Sequence, residues 1–319
     1  MLSAPSLGSW PLWVGFLAFV GAMLALDLGV FHRKAHRVSL REAAIWSVVW
    51  IGLAGLFALG VFQLYGPQKG LEFTTGYLIE KALSVDNVFV IAILFGALRV
   101  PAEQQHRVLF WGILGALAMR AVFILAGTAL IARFHWTTYL FGIFLVITGI
   151  KMLLSREQAH PENNPLVRLA RRVLPVAPGQ DTEHFFARVD GRWMVTSLFL
   201  AMLAVEFTDL IFAVDSIPAV LAVSTDPFIV FSSNIFAILG LRSLYFVLAG
   251  AVQKFGYLKV GLALVLVFVG VKMAIVDIFK IPVGVSLAVV AVLIGGAIVA
   301  SLVREGRRRR AFQERTATS

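Results

Sequence analysis

The sequence predicts an all-α polytopic membrane protein, and three observations predict it. The chain of 319 residues is 59% hydrophobic and only 14% charged, where soluble globular chains average about 25% charged. Its apolar residues collect into nine runs, each near the length of about 20 residues that crosses a bilayer. Most of its basic residues fall between those runs, as topology signals and contacts to anionic lipid headgroups require.

In chain order the runs cover Trp10–Phe31, Ala43–Tyr65, Thr74–Leu98, Val108–Ala132, Tyr139–Leu154, Val195–Val223, Phe228–Val252, Leu258–Phe279 and Val283–Val303. Met1 to Gly8 hold no Lys or Arg. The basic stretch of a cleaved signal is therefore missing, and the first run is expected to remain in the mature chain. Between the fifth and sixth runs, Ser155 to Trp193 is the one stretch of soluble character, punctuated by Pro161, Pro165, Pro175 and Pro178. Leu166, Leu169, Ala170 and Val173 have helical spacing, with Arg168, Arg171 and Arg172 opposite, as in a short helix lying on a membrane surface. Phe185 to Val195 alternates around Asp190-Gly191, which predicts a small hairpin.

Lys and Arg alternate from loop to loop. Arg33, Lys34, Arg37 and Arg41 follow the first run, and Lys69 alone the second. Arg99 and Arg107 follow the third, and Arg133 alone the fourth. The long loop is rich in arginine, the loop after the sixth run has no basic residue, and the tail carries Arg304 and Arg307 to Arg310. By the positive-inside rule the N-terminus is outside and the C-terminus cytoplasmic. The net charge of +10 then belongs to topology and anionic lipids, and a nucleic-acid partner is not expected.

Runs three to five carry Glu80, Asp86, Arg120, Gly127 and Gly149-Ile150-Lys151-Met152. Runs six to eight carry Asp209, Asp215, Arg242, Gly250 and Gly270-Val271-Lys272-Met273. The order of features is the same, while run three starts outside and run six inside. This predicts an inverted three-helix repeat, with a substrate site near the midplane between the halves. The chain accordingly divides into two N-terminal helices (1–66), a first repeat (74–154), a cytoplasmic loop (155–193), a second repeat (194–280), and a last helix with a basic tail (281–319).

A carboxylate at the bilayer centre costs roughly 2.5–3.5 kcal/mol on insertion scales, and such residues are functional by default. Asn87 and Ser216 follow Asp86 and Asp215, and Pro218 is expected to break the sixth run and free backbone carbonyls. Carboxylate, amide, hydroxyl and carbonyl make an all-oxygen shell for a hard or borderline divalent ion such as Mn²⁺, Mg²⁺ or Ca²⁺. The expected metal ligands are Glu80, Asp86, Asn87, Asp209, Asp215 and Ser216. Glu206, Asn234 and Asp27 are supporting, with Arg120 and Arg242 as buried counter-charges. The bland alternative is purely structural pairing of these acids with the two arginines. Lys151 and Lys272 are expected to snorkel from span ends. The six histidines are read as solvated surface. With no cysteine, thiol redox chemistry and thiolate metal sites are excluded. No catalytic motif is present, so an enzyme is not expected.

The string Val205-Glu206-Phe207-Thr208-Asp209-Leu210-Ile211-Phe212-Ala213-Val214-Asp215-Ser216-Ile217-Pro218-Ala219 closely resembles the signature of the TerC/Alx family of integral membrane proteins. So does Asn234-Ile235-Phe236-Ala237-Ile238-Leu239-Gly240-Leu241-Arg242-Ser243-Leu244-Tyr245, and Glu80-Lys81-Ala82-Leu83-Ser84-Val85-Asp86-Asn87 is similar too. The resemblance runs from Asp27 to Val303. It implies a bacterial inner-membrane protein historically labelled tellurium resistance, and manganese export with relatives among LysE-type exporters. It maps the family's acidic positions onto Glu80, Asp86, Asp209 and Asp215. The expected function is export of Mn²⁺, with proton antiport as a coupling. The alternatives are a non-transporting partner that supplies metal to secreted enzymes, or a Ca²⁺ transporter. No resident cofactor is expected, and the oligomeric state is left open.

Overall fold

The computed structural model describes residues 9–31, 39–98, 100–154, 175–177, 184–189, 191–249 and 257–317. The helices are α1 Trp10–Phe31, α2 Leu40–Ala97, α3 Ala102–Arg133, α4 Thr137–Leu154, α5 Ser197–Leu221, α6 Pro227–Leu239, α7 Leu241–Ala249, α8 Leu258–Ala274 and α9 Val283–Ala317. Among the described residues the protein is all-α apart from one antiparallel hairpin, β1 Phe186–Val189 with β2 Arg192–Val195, and a single bridge from Val176 to Val195. Gly191 turns it at φ 77, a left-handed conformation that glycine takes without steric cost. The amphipathic helix expected around Leu166 to Val173 falls outside the described residues.

Three helix starts have a side-chain cap. Ser39 Oγ accepts the Glu42 N–H at 3.2 Å and caps α2. Thr196 Oγ1 accepts the Phe199 N–H at 3.4 Å and caps α5. Asp226 accepts the Phe228 N–H at 3.0 Å, with Pro227 at the first position of α6, where its missing N–H loses nothing.

α2 joins the second and third predicted runs. Its 58 residues would stretch about 87 Å if straight, against a hydrocarbon core of about 30 Å. Gly66, at φ 86 and ψ 171 and followed by Pro67, breaks it. Among the described residues, five helices are long and apolar enough to span a membrane, and the α6–α7 pair makes a sixth. The nine apolar runs divide α2 in two and include α1, whose described apolar stretch is Trp10–Ala25, and α8, which has 17 residues.

The break expected at Pro218 is elsewhere. α5 continues through Pro218 to Leu221, and Ala222 N–H donates to the Pro218 carbonyl at 3.0 Å. So near a helix end, proline removes one donor without ending the helix. The interrupted span is the seventh, where α6 and α7 meet at Gly240 with a 40° bend.

Contacts sort the chain ends of the helices into two groups. At one end Lys69 faces Asp226 at 3.7 Å and His135 faces Asp277 at 2.9 Å. At the other, Tyr245 O–H donates to Gln105 at 2.9 Å, Tyr257 N–H donates to Ser301 Oγ at 3.0 Å, and Arg107 lies 5.5 Å from the Phe185 ring. These pairings agree with loop-to-loop alternation.

The packing between halves is reciprocal: α3 packs on α5, α6 and α7 on α2, and α4 on α8. The α4–α8 seam is the closest. A Cβ on Gly142 would stand 2.8 Å from the Gly270 carbonyl, one on Gly270 would stand 2.6 Å from the Gly142 carbonyl, and one on Gly149 would stand 2.7 Å from the Ala263 carbonyl. Small residues let backbones approach in lipid, where no hydrophobic force drives helices together. An aromatic cluster ties α1, both parts of α2 and α6: Phe57 sits 4.9 Å from Phe236 and 5.1 Å from Phe73, and Phe16 sits 5.5 Å from Phe228.

Candidate functional site

Arg120 is the centre of the buried polar core. It lies midway along α3 and is 1% exposed. Its Nη1 donates to Glu80 Oε2 at 2.7 Å. Its Nη2 and Nε donate to Asp209 Oδ1 and Oδ2 at 3.1 and 3.2 Å, a bidentate fork. Nη1 also lies 3.4 Å from Ser216 Oγ and 3.3 Å from Asn234 Oδ1. One guanidinium thus joins the second part of α2, α3, α5 and α6. Guanidinium suits the task because its donors form a rigid planar fork that an ammonium lacks.

Two carboxylates on one guanidinium leave negative charge uncompensated. Among the described residues, Glu80 Oε1, on a side chain 1% exposed overall, has no hydrogen-bond partner. Ser84 Oγ, one turn further on, and Tyr77 O–H, nearly one turn before, are also buried and unpartnered, as is Asn234 Nδ2. Unmade hydrogen bonds of this kind are costly and rare. Glu80 and Asn234, each bonded to Arg120 through its other polar atom, mark a place built for something polar beyond the side chains present. Asn87, also on α2, is buried as well.

Of the expected ligands, then, the structure gathers Glu80, Asp209 and Ser216 at Arg120, and with them the supporting Asn234. Asp86 and Asp215 belong to α2 and α5, but their side chains lie outside the described residues, and so does that of Asp27. Among the described residues, no three His, Cys, Asp or Glu side chains stand together as a metal cluster.

Four expectations need correction. Arg242 is half-buried rather than buried. Glu206 is half-buried and rests its carboxylate on α3, so that a Cβ on Gly115 would stand 2.4 Å from Oε1. Lys272 does not snorkel: it is 9% exposed. His106 is buried rather than solvated.

Two features escaped the sequence analysis. Lys81 turns away from Arg120 and donates to the Ala237 carbonyl at 3.4 Å, and Gly240 leaves room for its amine. Glu72, 5% exposed, accepts from Ser224 Oγ at 2.6 Å, Lys69 Nζ at 2.8 Å and Gln68 Nε2 at 3.2 Å. The available signal was spacing: Glu72, Gly76, Glu80 and Ser84 recur every four residues, which places them on one helix face.

The signature of the integral membrane protein TerC family matches residues 65–310. The chain belongs to the TerC family. An uncharacterized membrane protein of Myxococcus xanthus is 61% identical over 305 residues, 95% of this chain and 96% of that one. A candidate membrane-bound redox modulator of Escherichia coli strain K12, Alx, is 48% identical over 295 residues, 89% of this chain and 92% of that one. An uncharacterized membrane protein of Rickettsia bellii is 40% identical over 294 residues, 92% and 97% of the two chains. No solved structure matches.

Proposed function

We propose that this TerC-family membrane protein carries a divalent metal ion, most specifically Mn²⁺, out of the cytoplasm. The observation that carries the reading is the Arg120 site: two membrane-buried carboxylates share one arginine, and one carboxylate oxygen, Glu80 Oε1, is left without a partner. A structural ion pair satisfies all its oxygens when it is buried. Excess negative charge with open oxygen valence suits a hard or borderline cation. Asp86 and Asp215, one further acid in each half, are the remaining candidates to complete the shell, with Asn87 and Ser216 beside them.

Arg120 then has a positioning role. It holds Glu80 and Asp209 against each other while the ion is away, and its repulsion of a second cation keeps the ion from binding too tightly to leave. The reciprocal packing of the halves supports an inverted repeat with this site at its interface. The Lys/Arg pattern supports a bacterial inner-membrane orientation with the Arg107 end cytoplasmic and the N-terminus outside. Proton antiport fits a site whose carboxylates exchange metal for H⁺. The Alx relatives are named for redox modulation; with no cysteine in this chain, a redox effect would have to run through the metal it moves.

Calorimetry on purified protein tests the reading. Mn²⁺ is expected to bind, and Asp86→Asn or Asp215→Asn to abolish binding without loss of folded protein. Absence of Mn²⁺ binding by the wild-type protein overturns it.

A further inference from the structure

The Arg120 site lies within a longer polar face. On α2, Glu72, Gly76, Glu80, Ser84 and Asn87 follow one another at intervals of four, four, four and three residues. They share one side of the helix and extend over about 22 Å of its length at 1.5 Å per residue. Glu72, Glu80, Ser84 and Asn87 are at most 5% exposed. The polar side chains of α6 meet this face: a Cβ on Gly76 would stand 2.9 Å from Ser233 Oγ, and Asn234 reaches Arg120. A buried helix face that stays polar for this distance inside hydrocarbon is expensive unless it borders water or an ion. Glu80 Oε1 and Ser84 Oγ, unpartnered on side chains 1% exposed, both belong to it.

The face ends at Glu72. Lys69 bridges Glu72 at 2.8 Å and Asp226 at 3.7 Å, and Ser224 O–H donates to Glu72 at 2.6 Å. Lys69 is 30% exposed, whereas both acid side chains are 6% exposed. The partly exposed Lys69 ammonium thus already bridges two buried acids, at the end of the bundle where His135 meets Asp277. Ala201 stands in the second half where Glu72 stands in the first, counted from the Glu80–Asp209 match, so this acid has no counterpart across the repeat.

We propose that the polar face of α2 is the ion's route, and that Glu72 with Asp226 is a second, outer cation position where the ion pauses before release, displacing the Lys69 ammonium. This rests on the transport reading above. The Arg120 site selects the ion, and Glu72 sets how fast it leaves.

The chain has no cysteine, so single cysteines report on the route directly. In Ser84→Cys and Glu72→Cys the thiol faces the route; in Ala82→Cys, on the opposite face and buried, it does not. A small water-soluble methanethiosulfonate reagent is expected to modify the first two at least tenfold faster than the third, in purified protein without any metal. Rates for Ser84→Cys and Glu72→Cys no faster than for Ala82→Cys overturn the route, whatever the metal measurements show. Glu72→Gln in proteoliposomes tests the outer position. Mn²⁺ flux per molecule is expected to change at least threefold while the calorimetric Kd at the Arg120 site stays within twofold. Unchanged flux, or a loss explained wholly by less folded protein, overturns it. Should Glu72→Gln fail to fold, Lys69→Met serves, with the same flux change expected and unchanged flux again overturning the proposal. Wild-type protein that neither binds nor moves Mn²⁺ sinks the transport reading instead, and the thiol pattern still decides the polar face.

Discussion

Glu80 and Asp209 occupy matched places in the two halves of the chain, yet both end on one guanidinium, that of Arg120, at 2.7 and 3.1 Å. A true two-fold arrangement would give each acid its own arginine. Arg120 is 1% exposed, whereas Arg242, its counterpart by sequence order, is half-buried.

Arg120→Met strands two buried carboxylates. Breaking one buried pair costs about 3–5 kcal/mol, so the variant is expected to melt far below wild type in detergent or fail to accumulate. Adding Glu80→Gln and Asp209→Asn removes the stranded charges and restores much of the melting temperature. Arg120→Lys is expected to recover little, because an ammonium cannot make the fork to Asp209 while reaching Glu80. A triple variant no more stable than Arg120→Met would show that charge is not what Arg120 supplies.

Gly270→Ala places a methyl 2.6 Å from the Gly142 carbonyl. Backbone cannot rotate away as a side chain does, so α4 and α8 must separate. Overpacking of this kind costs about 1–3 kcal/mol. Gly15→Ala and Gly52→Ala meet nothing within 4 Å and are expected to be neutral or slightly stabilising, since alanine is the better helix former. Thermal unfolding of the three proteins orders them; equal melting temperatures contradict the close α4–α8 seam.

Asp277 lies in the loop after α8. The Tyr139 hydroxyl, then His135, donate to its carboxylate and hold its pKa below the usual range. A depressed carboxyl pKa means stability that is present above the unfolded value of about 3.9 and is lost as pH falls through the folded value. Tyr139→Phe is expected to raise the Asp277 pKa, read by carboxyl NMR, and to shrink the acid-side slope of stability below about pH 4. An unmoved Asp277 titration would contradict the contact.

Much of this was legible in sequence because membrane depth penalises polar residues. The acids at 80 and 209 and the arginine at 120 stand out against apolar neighbours, and the repeated order of features pairs the halves. α1 starts and ends where its apolar run does. What sequence hid is of another kind. Pro218 looks like a break, but a proline three residues from a helix end removes a donor that the end scarcely needs. Gly240 looks unremarkable, yet the span bends there. Asn234 reads either as an extra oxygen donor or as a helix–helix hydrogen bond, and its oxygen accepts from Arg120 across helices. Glu72 and Asp226 look like ordinary loop acids until folding brings the second and sixth loops together. Which acids share a cation is decided by packing between halves, which no local pattern encodes.

The Asp86→Asn and Asp215→Asn variants separate binding from structure. Each keeps size and removes one charge, and a divalent ion in a low-dielectric site depends on that charge. Both are expected to keep the wild-type melting temperature and lose Mn²⁺ binding. Loss of folded protein in both would instead assign these acids to the scaffold.

Flux of Mn²⁺ across proteoliposomes holding only the purified protein, measured with and without a pH gradient, tests the export reading most directly. Protein-dependent Mn²⁺ movement, faster when protons flow the opposite way and abolished in Asp86→Asn and Asp215→Asn, is the predicted result. Mn²⁺ movement equal to that of empty liposomes, from protein that is folded and correctly inserted, would contradict it.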